Sequence, residues 1–365
     1  MSTAMPALDF AGMRRIAVFR ALQLGDMLCT VPALRALRRA APQAEITLIG
    51  LPWAAGFVER FNMYLDRHLC FPGYPGMPER EPDAPALPGF FAAARGRQFD
   101  LALQLHGSGG LSNPLTLALG AARTAGFHAA GDPCPDPATY ALWSEQEHEV
   151  LRYLRLLQWL GAQPYGEHLE FPLRPEDHAA LARAAPGLAP GSYVCIHPGA
   201  RLPSRRWPPW RFAQVADGLA GQGWTVVITG SPDERALTQA VRSAMRSQAV
   251  DLTGATTLGA LAALLAGARL LVCNDTGVSH VAAAMATPSV VVCCGADPGR
   301  WAPLDRERHR VLHADVPCRP CAHDVCPIGH PCATGVASAS VLASAGALCR
   351  EAATQPRRES WRLPS

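Results

Sequence analysis

Asn274-Asp275-Thr276-Gly277-Val278-Ser279-His280 follows the apolar run Ala268 to Cys273 and opens the small-residue run Val281 to Ala286. Read in order, these segments are a strand, a tight turn and a helix start. A junction of this kind aims backbone N–H groups and the positive end of a helix dipole at one spot, which suits an anionic group such as a diphosphate. Asp275 and His280 stand beside that spot. Asp and Thr are also ordinary caps and Gly277 alone would serve the turn, so the junction gains weight from a second one near the chain start. There, Arg15 to Phe19 reads as a buried strand, Arg20 to Gly25 as a loop, and Asp26 onward as a helix through Leu37.

The 365 residues exceed one typical core and fit two domains with a tail. Hydrophobic residues at 49% and charged residues at 17% supply packed cores and argue against extended disorder. A net charge of +3 is too mild to point to nucleic acid. No apolar run reaches the length of a membrane span, and Met1 to Gly12 lacks a basic end followed by an apolar core. The expectation is a soluble, unexported, cytoplasmic protein. Of the 12 cysteines, Cys195, Cys273, Cys293 and Cys294 fall in predicted buried strands, where a free thiol packs as a small hydrophobe.

Strand-like and helix-like runs alternate throughout, the pattern of an α/β fold with a mostly parallel sheet. The first half offers strands at Arg15 to Phe19, Glu45 to Ile49 and Asp100 to Leu105. The second offers Tyr193 to Ile196, Thr225 to Thr229, Arg269 to Cys273 and Ser289 to Cys293. A boundary is expected in Arg174 to Ser192, giving domains 1–185 and 186–335 and a last element, 336–365. The Pro- and Gly-dense stretch Phe71 to Pro88 reads as a long surface loop. Neither half carries G-x-G-x-x-G after its first strand, and the Walker pattern is absent. His106-Gly107-Ser108-Gly109-Gly110 taken alone reads as a loop.

Ligands of open α/β sheets bind beyond the carboxyl ends of the strands, and in the second half the polar residues gather there. His197-Pro198-Gly199-Ala200 follows one strand. Ser204-Arg205-Arg206-Trp207-Pro208 brings two guanidinium groups, and either Arg205 or Arg206 has the fork that matches a diphosphate; a solvated pair beside a packing tryptophan is the plainer alternative. Gly230-Ser231-Pro232-Asp233-Glu234 offers Glu234 to the hydroxyls of a ribose, although acids in a first helical turn are favoured by the dipole alone. Cys318, Cys321, Cys326 and Cys332 form a compact cluster that reads as a metal candidate or as a loop of reduced thiols.

Leu24-Gly25-Asp26 with Val31-Pro32-Ala33-Leu34, Ser204-Arg205-Arg206-Trp207-Pro208 and Asp275-Thr276-Gly277-Val278-Ser279-His280 resemble bacterial heptosyltransferases, glycosyltransferase family nine. The resemblance implies a GT-B architecture: two Rossmann-like domains facing across a cleft, the first holding the acceptor, the second the nucleotide-sugar, and a last helix, Val336 to Leu348, packing back on the first. It implies an inverting, metal-independent hexosyl or heptosyl transfer with Asp26 as general base and Arg205 stabilising the leaving diphosphate. Arg206, Glu234, Asp275, Thr276, Gly277 and His280 would bind the co-substrate, and no metal or separate cofactor is called for. ADP-heptose is the default donor. The acceptor would be lipid-linked or an oligosaccharide of lipopolysaccharide or a related surface glycan, with peripheral contact at the cytoplasmic face of the inner membrane. For Trp53, Phe57, Arg60, Phe61 and Tyr64 the choice lies between such contact and a helix packed on the sheet. Two departures stand out. Arg205 replaces the family's usual Lys, and Arg20 to Leu24 lacks its usual serine pair. An epimerase or hydrolase, or a non-catalytic nucleotide-binding protein, are the competing classes on such a fold.

Overall fold

The computed structural model describes residues 8–321 and 323–354; the tail expected over 355–365 lies outside them. The chain forms two units, Met1–Glu167 and His168–Ser365. In the first, strands β1 (Arg15–Phe19), β2 (Glu45–Gly50), β3 (Arg67–Cys70), β4 (Leu101–Gln104), β5 (Arg123–His128) and β6 (Tyr140–Leu142) build one parallel sheet in the order β3-β2-β1-β4-β5-β6. Helices α1 (Leu24–Ala40), α2 (Ala54–Arg60), α3 (Leu87–Gly96), α4 (Ser112–Ala118) and α5 (Glu149–Trp159) accompany it.

The second unit repeats the plan. Its strands are β7 (Tyr193–His197), β8 (Thr225–Ile228), β9 (Val250–Asp251), β10 (Leu270–Asn274), β11 (Ser289–Val292) and β12 (His309–Leu312), ordered β12-β11-β10-β7-β8-β9 and again all parallel. Its helices are α6 (Pro175–Ala184), α7 (Pro209–Ala220), α8 (Arg235–Ala244), α9 (Leu258–Gly267), α10 (Gly277–Ala284), α11 (Pro298–Trp301), α12 (Pro331–Thr334) and α13 (Ser338–Thr354). Both sheets have the 3-2-1-4-5-6 order of Rossmann-like folds, whose strand order reverses between the first and fourth strands. That switch point lies between β1 and β4 in one unit and between β7 and β10 in the other. Every residue of β7 and β10 is buried, as expected for central parallel strands covered on both faces.

The first unit ends earlier in the chain than the sequence predicts. The division falls at Glu167/His168 rather than 185/186, because α6 packs on α9 of the second unit. The last helix, α13, packs on α7, β10 and β11 of its own unit. Val341, Ala345, Leu348 and Cys349 join Trp207 and Phe212 in one core, and Gly218, without a side chain, admits Leu342 of α13 against α7. Arg269 Nε closes the end by donating to the Cys349 carbonyl at 3.0 Å. Fully burying a residue such as Leu348 or Phe212 stabilises by about 1.5–3 kcal/mol, so this helix has reason to stay where it is.

In the first unit, Phe57 and Phe61 stack at 4.2 Å and are buried, with α2 against β3. Phe57 and Phe61 thus pack inward, while Trp53 at the start of the stretch is 37% exposed. Helix α1 begins at Leu24, two residues before Asp26, and contains Pro32 in its interior. No helix among the described residues is long and apolar enough to cross a membrane.

Placing an arginine at Ala345, a fully buried position of α13, sets an unpaired charge into the second core, at a cost of several kcal/mol. Urea denaturation of Ala345→Arg is expected to show the second unit unfolding well before the first; a midpoint equal to that of the parent would contradict this packing.

Candidate functional site

At the second unit's switch point the last residue of β10, Asn274, is fully buried. Its side chain has one acceptor and one donor group, and both are used. Oδ1 accepts the Trp207 N–H at 2.9 Å, while Nδ2 donates to the Pro198 carbonyl at 2.6 Å and the Gly199 carbonyl at 3.4 Å. One carboxamide therefore joins the loop after β7, the loop before α7 and the turn after β10.

Asp275 follows directly, half-buried, its N–H donating to the Val292 carbonyl at 3.1 Å. Thr276 is the N-cap of α10 in extended backbone, and its side chain makes no capping bond. Gly277 is the first residue of the helix. The first turn of α10 thus opens beyond the carboxyl end of a central strand without a Thr276 cap, the geometry that favours an anion. His280 is buried one turn in, 6.4 Å from the Trp301 ring.

The 3-10 turn Pro203–Arg205 carries Arg205, half-buried, with Nε enclosed and without a hydrogen-bond partner. Arg206 is differently employed: Nε donates to the Ala200 carbonyl at 2.8 Å and Nη2 to that of Arg201 at 3.5 Å, holding the loop after β7. Asp275 and Arg205 act on one atom. The Cys293 thiol is pushed up to about 12, first by burial and then by Asp275, with Arg319 and Arg205 pulling the other way.

Glu234 ends the 3-10 turn Pro232–Glu234, where its carboxylate closes a capping box by accepting the Ser231 N–H at 2.8 Å. Its Oε2 lies 3.9 Å from His197 Nε2, and His197 Nδ1 meets Thr229 Oγ1 at 3.0 Å. Burial holds His197 below the ordinary imidazole range, with Glu234 opposing. Any Cβ on Gly199 would overlap the Glu234 carboxylate, so the glycine is required by that approach.

The cysteine-rich segment between β12 and α12 straps these loops. Ser204 N–H donates to the Asp324 carbonyl at 2.8 Å, Cys321 N–H to that of Gly295 at 2.7 Å, and Arg319 Nη2 to those of Cys293 and Cys294 at 3.0 and 2.7 Å. Cys318, Cys321, Cys326 and Cys332 are free thiols. Among the described residues no three His, Cys, Asp or Glu side chains are arranged to hold a metal ion. An open hollow of about 520 Å³ is lined by Asp297, Asp315 and Arg319 and by none of the sequence-predicted site residues.

In the first unit, Asp26 sits in the first turn of α1 with its side chain 22% exposed. Behind it lies Arg20, fully buried. Its Nε and Nη2 donate to the Asp26 carbonyl at 3.0 and 2.8 Å, and Nη2 stands 3.8 Å from Asp26 Oδ1. Nη1 donates to the Leu105 carbonyl and, at 2.5 Å, to Tyr153 Oη, which itself donates to Glu149 Oε1 at 2.5 Å. Burial works against the Arg20 charge, but Tyr153, Glu149 and Asp26 outweigh it and raise its pKa. Sequence reasoning assigned no role to Asn274, Gly199, Arg20, Glu149 or Tyr153. The spacing of Glu149 and Tyr153, one helical turn apart, was the available signal.

Fold and site together define an α/β protein of two Rossmann-like halves, with an uncapped helix start at the switch point of the second and a partly exposed carboxylate at that of the first. Residues 90–331 match the family model for glycosyltransferase family 9 (heptosyltransferase), and the chain belongs to that family. It is 31% identical over 172 residues to lipopolysaccharide heptosyltransferase 1 of Pseudomonas aeruginosa, covering 45% of this chain and 46% of that one. The chain thus matches under half the length of that curated relative. Among solved structures it is similar to a family 9 glycosyl transferase of Veillonella parvula, with a TM-score of 0.77, 23% identity and coverage of 94% and 99%. It is also similar to the E. coli ADP-heptose lps heptosyltransferase II, with a TM-score of 0.72, 20% identity and coverage of 93% and 99%. These likenesses show the GT-B fold.

Asn274→Ala removes the acceptor for Trp207 N–H and the donor for Pro198, leaving buried groups unmatched at about 1–3 kcal/mol each. A fall in unfolding free energy of that order is expected by urea titration; a change under about 0.5 kcal/mol, the scale of a surface substitution, would refute the role given to this amide.

Proposed function

We propose that this protein is an inverting glycosyltransferase that moves heptose from ADP-heptose to a hydroxyl of a lipopolysaccharide-core or related surface-glycan acceptor. The observation that carries the reading is the uncapped helix start at Thr276–Gly277, with Arg205 on the loop that Asn274 ties to the same strand end, in a chain of family 9 whose relatives are named for ADP-heptose and lipopolysaccharide. The leaving group in such a transfer is a diphosphate. Backbone N–H groups and the dipole of α10, together with the Arg205 guanidinium, would neutralise the charge that grows on it, without need of a metal. Glu234 would accept from ribose hydroxyls, and Asp275 and Gly277 would shape the phosphate turn, with His280 packed behind it.

Asp26 would act as general base. As the acceptor oxygen bonds to the anomeric carbon and the bond to the diphosphate breaks, the hydroxyl proton passes to its carboxylate, and attack opposite the leaving group inverts the centre. A base must be reachable by the acceptor yet held in place, and the partly exposed carboxylate, with its backbone carbonyl fixed by Arg20, meets both conditions. The lipid-linked acceptor would bring the protein to the cytoplasmic face of the inner membrane.

Asp26→Asn is expected to lower kcat at least a hundredfold, the scale of a lost general base, while ADP affinity by calorimetry stays within twofold. Turnover close to the parent's would remove Asp26 from the chemistry. Arg205→Ala deletes hydrogen bonds to a charged group, each about 1.5–3 kcal/mol, and should weaken ADP binding roughly tenfold or more. Unchanged affinity would place the diphosphate elsewhere.

A further inference from the structure

The first unit's switch point holds a buried pair that the proposed reaction does not use. His106 follows β4 and stacks on Phe19 of β1 with ring centroids 5.1 Å apart. Its Nδ1 accepts the Ala21 N–H at 3.1 Å. An imidazolium has no acceptor nitrogen, so this bond assigns a neutral ring with its proton on Nε2. That Nε2 faces Glu79 Oε1 at 3.3 Å, and the two side chains are only 9% and 12% exposed.

The pair joins two loops. Glu79 belongs to the Pro- and Gly-dense stretch after β3, which is turned onto the carboxyl end of the sheet by Phe71 and Met77, buried in one cluster with Phe19. Ala21 belongs to the four residues between β1 and α1, whose next element carries Asp26 in its first turn. The backbone that carries the imidazole is anchored as well. The His106 carbonyl accepts from Gln104 Nε2 at 2.9 Å and Ser112 Oγ at 2.7 Å, and Gly109 (φ +109°) leaves no space for a Cβ beside Asn113 and the Phe127 carbonyl.

We propose that Glu79 and His106 form a latch in which the carboxylate fixes the imidazole, the imidazole fixes the Ala21 amide, and the loop so held sets the position of Asp26. Both are positioning residues. Their catalytic effect rests on the reading of Asp26 as the base; the latch itself does not. A carboxylate that receives Nε2–H keeps the ring oriented and its tautomer chosen, as partners of functional imidazoles do elsewhere. Loss of either member frees two loops at once.

The full-length protein tests this by hydrogen exchange and kinetics side by side. In Glu79→Ala and His106→Ala, amides of residues 20–28 and 71–83 are expected to exchange at least tenfold faster while those of β7 and β10 do not change. In Glu79→Gln, whose amide oxygen still accepts Nε2–H, exchange should stay within about threefold of the parent. The alanine variants should lose tenfold or more in kcat with KM for the sugar nucleotide within twofold, a split that general destabilisation would not produce. Exchange at residues 20–28 that ignores Glu79→Ala overturns the latch, as does a Glu79→Gln variant as loosened as Glu79→Ala. If instead Asp26→Asn retains turnover, the base assignment falls and the exchange data alone still decide the latch.

Discussion

The buried carboxamide of Asn274 is the constraint on which the second unit's site depends. Two loops meet it at the end of β10, one presenting the Pro198 and Gly199 carbonyls and the other the Trp207 N–H. Aspartate has no donor for the Pro198 carbonyl, and leucine has neither donor nor acceptor. The loop that carries Arg205 and the loop after β7 are therefore joined by one side chain at the end of a central strand. Gly199 and the capping box at Ser231 complete it from the other side, by letting the Glu234 carboxylate come in close.

The first unit solves the same problem with charge. Burying a guanidinium costs several kcal/mol unless it is matched, and Arg20 is matched by the Glu149 carboxylate, the Tyr153 ring and hydroxyl, and the carbonyls of Leu105 and Asp26. The end of β1, the end of β4 and the start of α1 are thus gathered on one cation. Each switch point is organised by a fully buried polar side chain whose partners lie on separate loops.

The central strands were legible because they are apolar on both faces: β1 lies where its residues predict, and β2, β7, β8, β10 and β11 within a residue at either end. The edges were not. β3 reads Arg-His-Leu-Cys and β9 is only Val-Asp, both short and partly exposed, with no apolar run to announce them. Asp26, Arg205 and Asp275 were legible as residues placed at strand-to-helix turns. Arg206 was given a ligand role that its own loop bonds largely take up. The buried Arg20 behind Asp26 is matched by groups more than a hundred positions away, Glu149 and Tyr153, and no local pattern encodes that. An apolar, Ala-rich helix such as α13 carries no mark of the surface it packs on, and the close approach of Leu342 to Gly218 on α7 is visible only in the structure.

Pro32 has one more effect. It has no N–H to give the carbonyl of Leu28, so the hydrogen-bond ladder of α1 is interrupted between its first two turns and the remainder. The carbonyl of Asp26 is held by side chains as well, by Arg20 Nε at 3.0 Å and by Thr30 Oγ1 at 2.9 Å on the same oxygen. The carboxylate thus sits on a turn tied to the loop after β1, a central strand, as well as to the helix it begins.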